Sequence, residues 1–300
     1  MSEHSRVPPV VVVLLLCALL AVAALQWVSR HRHAQDMATV AARHGFDYSP
    51  SDPFGSTRVA FGLFRKGDGR VVENVMWRER ADGLATRAFD FSFYVERRDE
   101  TGATRRTHTR FTCAMAQLDG AWPEVSITRE GFVEKALDLF GLGDIELESD
   151  EFNRRFALRS PDRRFAVTLV DARMIDFLLS TEGRFAFFVK GRWLLVASDP
   201  LPPELVPGLM GVAEAFVAHV PRVVHELWPS PFRDEQGRPL AAGDEGYGEA
   251  LARAEAAEAD PWGTLRSSPY EALGADERVE YDLDGNVVEP KPEDPWSDQT

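Results

Sequence analysis

An uncharged run near the N-terminus, from Val7 to Ser29, is the longest apolar pattern in the chain. It lies between Arg6 and Arg30, and residues 10–25 are almost wholly aliphatic. An α-helix rises about 1.5 Å per residue, so roughly 20 apolar residues cross the hydrocarbon core of a bilayer. The run therefore predicts a membrane-spanning helix, and residues 1–29 are interpreted as an N-terminal anchor.

A cleaved signal peptide is the alternative interpretation of this run. Ala21-Val22-Ala23 fits the small-residue cleavage pattern, and Arg6 fits a charged n-region. However, the run is longer than the about 7–15 residues of a usual h-region, and Arg30 and Arg32 follow it at once. Basic residues on this flank favour a cytoplasmic body by the positive-inside rule. We therefore expect an uncleaved, single-pass cell-membrane anchor.

Three further regions follow the anchor. Residues 30–45 form a basic juxtamembrane segment with a short helix, Ala34–His44, which Gly45 ends. Residues 46–228 are interpreted as one α+β domain. Residues 229–300 hold 18 acidic and 6 basic residues in a chain of net charge −14, together with 8 of its 19 prolines. This composition predicts an acidic, largely disordered tail, in which Tyr247–Ala259 favours a transient helix.

The first half of the domain shows the alternating pattern of antiparallel strands. Strands are predicted at Arg70–Arg80, Leu84–Arg98 and Arg105–Leu118, with turns at Asp82-Gly83 and near residues 100–102. The second and third strands form a long hairpin if their apolar sets share one face. That condition places Glu96 opposite Arg106, or Asp90 opposite Arg110.

The second half mixes helices with strands, which makes the domain α+β rather than a βαβ nucleotide-binding fold. Its predicted strands are Glu124–Thr128, Asp144–Glu148, Phe152–Leu158 and a hairpin of Phe185–Val189 with Trp193–Ala197 around Gly191. Its predicted helices are Gly131–Phe140, a helix capped by Asp171 that runs through Leu179, and one from Pro203 to His219 that Pro221 ends.

The residue types that carry most enzyme chemistry do not form a recognisable pattern. Cys17 lies in the anchor and Cys113 in the domain, so an intrachain disulfide scaffold is excluded. The histidines lack metal-ligand spacing, and no nucleophile elbow or phosphate-binding glycine loop occurs. We therefore expect no metal, no cofactor and no catalytic residue; Asp90 and Glu96 are the carboxylates to examine if an enzyme site exists. The acidic run 144–151 fits a solvated strand face.

A weak anion site is predicted on the third strand, at Arg105, Arg106 and Arg110. Several guanidinium groups on one strand suit a phosphate or a lipid headgroup. The alternative is structural, because Glu96 and Asp90 face this strand across the hairpin. A nucleic-acid partner is not expected, because residues 1–228 are close to neutral.

Aromatic residues in the tail are weak candidates for docking a protein partner. Trp262 and Trp296 each end an Asp-Pro-Trp triplet, and Tyr270 follows Ser268-Pro269. Acidic, proline-rich segments are usually poor in aromatic residues, and such sites can order on a partner.

Four segments together resemble a family of uncharacterised, single-span bacterial membrane proteins with one soluble α+β domain. They are 41–48, 88–93, 148–156 and 172–179. The resemblance covers roughly residues 10–227, is most specific at 152–156 and excludes the tail. It implies an uncleaved anchor and brings no activity, substrate or site residue.

These observations lead to three functional hypotheses. The first is a membrane-tethered, non-enzymatic binding or scaffold protein that contacts the membrane through residues 7–29 and a protein partner through the tail. The second is a domain that binds anionic lipid or phosphate at the membrane surface. The third is an enzyme with an unrecognised site.

Overall fold

The computed structural model describes residues 9–80, 85–98, 103–129, 132, 143–230, 240, 246–259, 280–281 and 287–288. The chain divides into two units, Met1–Glu258 and Ala259–Thr300. In the second unit, the short strands Glu280–Tyr281 and Val287–Val288 pair antiparallel. All elements discussed below belong to the first unit.

The first unit is a mixed α+β structure, which confirms an antiparallel sheet with several helices. Its strands are β1 Asp47–Ser51, β2 Gly69–Glu79, β3 Ala85–Arg98, β4 Thr104–Thr128, β5 Ala157–Arg159 and β6 Ala186–Ser198. Its helices are α1 Pro9–His44, α2 Asp150–Arg155, α3 Arg163–Leu169, α4 Ala172–Ser180, α5 Val206–His219, α6 Arg222–Leu227 and α7 Tyr247–Ala259. Single 3₁₀ turns lie at Ser56–Arg58, Gly62–Arg65 and Pro203–Leu205.

The sheet is antiparallel throughout and is organised around the long strand β4. Strands β1, β2, β3 and β4 pair in chain order, and β4 also pairs with β6 and, near its C-terminal end, with β5. Of the two pairings predicted for β3 and β4, the one that places Glu96 opposite Arg106 is confirmed. Asp90 therefore lies opposite Thr112, and Arg110 lies opposite Ser92.

This register separates the two faces of the sheet by side-chain size. One face carries aromatic residues: Phe91 lies opposite Phe111, and Phe64 of the segment before β2 packs on Phe91 with ring centres 5.0 Å apart. The other face carries the small side chains Ala88 and Ala114, on which α1 and α5 pack. Because successive strand residues point to opposite faces, both sets are buried at once.

The C-terminal part of α1 is built into this core. Met37 and Ala41 are completely buried, and Gly45, with φ of +71°, ends the helix as predicted. The separate short helix expected at Ala34–His44 is wrong, because it is the end of one continuous helix that begins at Pro9. Among the described residues, no helix meets the combined length and hydropathy of a membrane span.

The predicted strand at Phe152–Leu158 is wrong. Residues Asp150–Arg155 form α2, which the Ser149 side chain caps by accepting a hydrogen bond from the Phe152 N–H, and only Ala157–Arg159 is strand. Phe152 and Phe156 are four residues apart and stack with ring centres 5.3 Å apart, which is the spacing of a helix turn. The predicted strand Asp144–Glu148 is also wrong: it is irregular, and the Ile145 N–H donates to the Leu158 carbonyl.

The predicted hairpin around Gly191 is wrong as well, because β6 is one continuous strand. Gly191, with φ of +55°, lies opposite Trp122 at an irregularity instead of in a turn. The predicted strands Arg105–Leu118 and Glu124–Thr128 are also one strand, β4. Because β4 is this long, it pairs with both halves of β6. Asp171 caps α4 as predicted, and the helix before Pro221 is confirmed as α5.

Other predicted elements fall partly or wholly outside the described residues. They are the turns at Asp82-Gly83 and residues 100–102, and the helix Gly131–Phe140 apart from Phe132. Helix α7 lies in the region assigned to the tail, and its Ala250 is completely buried against Ala121 and Leu240.

We expect Phe91→Ala to lower the free energy of unfolding by about 3–5 kcal/mol, because it removes a completely buried ring between Phe64 and Phe111. Equilibrium denaturation of the full chain measures this. The control is Val167→Ala on α3, whose side chain is 44% exposed and whose effect we expect within about 0.5 kcal/mol. Equal effects of the two variants would contradict the assigned core.

Candidate functional site

A cleft of about 570 Å³ lies at one end of the aromatic face, between the sheet and the segment that follows β1. Strands β2, β3, β4 and β6 form its floor, and Phe54 and Arg58 form part of its opposite wall. The floor residues that matter for its chemistry are Trp77, Arg87, Gln117 and Trp193. The cleft therefore joins aromatic rings from three elements around one buried cation.

Arg87 continues the row of alternating side chains formed by Phe93, Phe91 and Phe89 on β3. It lies opposite Trp77 on β2 and Met115 on β4, and its side chain is only 6% exposed. The row places a guanidinium where the pattern would otherwise place another apolar side chain.

Aromatic rings surround the Arg87 guanidinium. Its central carbon lies 4.5 Å from the ring centre of Trp193 and 5.1 Å from that of Phe54. Such contacts attract a cation to the ring faces but leave the in-plane N–H groups without acceptors. Nη2 lies 3.8 Å from the Met115 sulfur, a weak acceptor, and the buried Nε has no hydrogen-bond partner. Burial lowers the pKa of Arg87 to about 10, so the group still carries its charge at neutral pH.

Asp52 is a carboxylate whose charge favours the charged form of Arg87, but its oxygens already accept other hydrogen bonds. Asp52 accepts hydrogen bonds from the N–H of Phe54 at 3.0 Å and from the N–H and hydroxyl of Ser56 at 2.5 and 3.1 Å. It therefore fixes the loop that carries Phe54. Asp47 and Glu79 also line the cleft, from the exposed β1 and β2 side.

A second polar cluster lies on the opposite face of the sheet, under the end of α1. Asp90 accepts hydrogen bonds from His33 of α1 and from the Asn74 amide, each at 2.8 Å, and from the Thr112 hydroxyl at 3.4 Å. The Tyr48 hydroxyl donates to the Asn74 side-chain oxygen at 3.0 Å. The cluster thus links α1 to β1, β2, β3 and β4.

Asn74 reaches this cluster because β2 has a bulge. The register with β3 shifts between Glu73 and Met76, and Asn74 has φ of +55°, a conformation that asparagine tolerates better than most residues. The hydrogen bond to Asp90 raises the pKa of His33 above its ordinary value, against the opposing effects of burial and Arg110. Burial, assisted by Asp90 and Glu73, raises the pKa of Tyr48.

The three arginines of the predicted anion site are exposed, but they do not share one face. Arg106 and Arg110 lie on the same face of β4 as Thr112, whereas Arg105 lies on the other face, opposite Arg97. Arg106 pairs with Glu96 at 2.5 Å and stacks over Tyr94 at 5.0 Å, so its charge is already matched. The predicted docking residues Trp262, Tyr270 and Trp296 lie outside the described residues.

Arg87 was not among the site residues predicted from the sequence. The available signal was its position in the period-two row that includes Phe89, Phe91 and Phe93, where a charged residue stands in an apolar place. Asp90, one of the two carboxylates singled out from the sequence, is hydrogen-bonded by three side chains, and its own side chain is 25% exposed. Within the described part of the chain, no group of three or more potential metal ligands comes together.

No protein-family model matches the chain, and no curated protein matches it. Among solved structures, the chain is similar to the crystal structure of the mycobacterial trehalose monomycolate transport factor A, TtfA. The sequence identity is 16%, the TM-score is 0.47, and the match covers 66% of this chain and 97% of that chain.

We expect the His33–Asp90 contact to make stability depend on pH. Because the pKa of His33 is raised in the folded state, its contribution is complete below the unfolded pKa near 6.5 and is lost as pH rises through the folded value. His33→Gln should therefore reduce the loss of stability between about pH 5.5 and about pH 8.5. Urea midpoints at both pH values measure this.

The control for this experiment is His44→Gln, at the end of the same helix, where the ring stacks on Phe46. We expect it to keep the pH dependence of the unmodified chain. A pH dependence that His33→Gln leaves unchanged would show that the contact contributes nothing to it.

Proposed function

We propose that this protein is a membrane-tethered, non-enzymatic binding protein whose domain lies close to the cytoplasmic surface of the cell membrane. The observation that carries the proposal is the continuity of α1 with the core. The uncharged run Val7–Ser29 leads into the same helix whose Met37 and Ala41 are completely buried under the sheet. The His33–Asp90 hydrogen bond supports this attachment.

This continuity has a geometric consequence for the proposed tether. From Ser29 to Met37, the helix rises about 12 Å, so the domain would begin within one helix diameter or so of the headgroups. A domain held there meets membrane-bound partners at a raised effective concentration, which lets weak contacts suffice. The helical connection favours a fixed distance over the variable reach of a flexible linker.

The Asp90 cluster and the Arg87 cleft also support a binding role. Asp90 is held by three hydrogen-bonding side chains and serves to join elements, which disfavours it as a catalytic acid or base. The cleft around Arg87 is concave and combines three aromatic rings with charged and polar side chains, which suits it to bind a ligand.

Binding of anionic headgroups through Arg105, Arg106 and Arg110 is a second candidate, supported by the exposure of all three side chains. It is weaker because Glu96 already pairs with Arg106 and because Arg105 lies on the other face of β4.

The tether makes a prediction for intact cells that carry the full chain with a C-terminal tag. We expect the protein in the membrane fraction, resistant to alkaline extraction, with the tag digested by protease only after the cells are opened. Leu16→Arg, which places a charge in the middle of the run, should release protein from that fraction. The control is Arg32→Lys, which keeps the flanking charge.

Two results would contradict this proposal. One is a mature chain that begins at Ala24 or nearby and lies free in the medium. The other is a tag that protease removes from intact cells, which would place the domain outside.

The tail is proposed to recruit a protein partner through Trp262, Tyr270 and Trp296. Deleting residues 260–300, which leaves α7 with its buried Ala250 in place, should abolish the capture of that partner in crosslinked pull-downs from membranes. Replacing the three aromatic residues with alanine should have the same effect. An unchanged set of captured proteins in both variants would exclude recruitment by the tail.

A further inference from the structure

We propose that the cleft around Arg87 binds a small apolar molecule that carries a single carboxylate. The carboxylate would pair with the Arg87 guanidinium, and the apolar part would lie among Phe54, Trp77 and Trp193. This inference goes beyond membrane tethering, since it depends on neither the anchor nor the tail.

The need for an anion follows from the surroundings of Arg87. The side chain is 6% exposed, yet among the described residues no carboxylate forms an ion pair with it. Its contacts are two ring faces and a thioether sulfur, and Nε is unpartnered. A buried charge is costly without a hydrogen-bonded counter-ion, and a guanidinium offers a fork of donors that fits a carboxylate. The cleft supplies the position for such a group, because Arg87 lines it.

The charge of the ligand is limited by the other groups in the cleft. Arg58 is the exposed second cation, while Asp47 and Glu79 bring two carboxylates to the same cleft. Arg78 also lines it, but its guanidinium donates to both carboxylate oxygens of Glu214 on α5. A dianionic phosphate would therefore meet more repulsion than a carboxylate with one negative charge.

The apolar part of the ligand follows from the walls. Phe54 and Trp77 meet edge to face with ring centres 5.1 Å apart, and Trp193 approaches from β6. Val59 and Ala85 add aliphatic surface. The volume of about 570 Å³ lies within the range of about 300–1,000 Å³ for small-molecule sites.

Isothermal titration calorimetry on the purified full chain in detergent micelles tests this inference with three water-soluble probes. They are 3-phenylpropionate, its neutral isostere 3-phenylpropanamide, and the dianion phenyl phosphate. We expect the carboxylate to bind at least about tenfold more tightly than the amide and than phenyl phosphate, because it alone combines one negative charge with an apolar ring. This comparison uses the unmodified chain and so does not depend on how any variant folds.

Variants then locate the interaction. Arg87→Gln should bind the carboxylate and the amide equally, whereas Arg173→Gln, which removes an exposed charge from α4, should keep the preference. Protein-free micelles serve as the blank for partition of the probes into detergent. The inference is overturned if the unmodified chain binds no probe, if it binds carboxylate and amide alike, if phenyl phosphate binds as tightly as the carboxylate, or if a folded Arg87→Gln variant keeps the preference.

Discussion

The pairing of β3 with β4 is the constraint on which the rest of the structure depends. Because side chains alternate between faces, one register decides every neighbour on both sides of the sheet. With Phe91 opposite Phe111, the rings lie together on one face, and Ala88 and Ala114 lie on the other. The small side chains let α1 and α5 approach the sheet, while the segment before β2 covers the rings. A shift by one residue would exchange the rings and the small side chains of one strand between the two faces.

The same register places two ionisable groups of β3 in opposite situations. Asp90 points to the helix side, where His33, Asn74 and Thr112 supply hydrogen bonds, so it joins elements of the core. Arg87, three residues earlier, points to the aromatic side, where it stacks on rings and its buried Nε has no hydrogen-bond partner. Buried polar groups are normally satisfied, and an exception in a concave site suggests a role in binding. This contrast makes the Arg87 cleft, and not the Asp90 cluster, the centre of the proposed binding function.

Helix α1 relates the proposed tether to the fold. Its C-terminal part contributes Met37 and Ala41 to the core and His33 to the Asp90 cluster. The asparagine at the β2 bulge completes that cluster, so a local irregularity of the sheet serves to attach the helix. If the N-terminal run lies in the membrane as we propose, the attachment would hold the cleft at a nearly constant distance from the bilayer surface. That arrangement would suit a ligand or partner that is itself found at the membrane.

The sequence by itself determined the features that depend on neighbours close along the chain. The alternating rings of β3, the stop at Gly45 and the cap at Asp171 were all predicted, because each follows from strand period, backbone freedom or a local hydrogen bond. Only the tertiary structure decided that β6 passes through Gly191 without turning, because β4 offers a partner along its whole length. It also decided the surroundings of Arg87, because Phe54 and Trp193 come from distant segments. The pairing of Glu96 with Arg106, by contrast, followed from the strand register predicted from the sequence. A long-range partner cannot be read from local pattern, and in this protein the partners define the site.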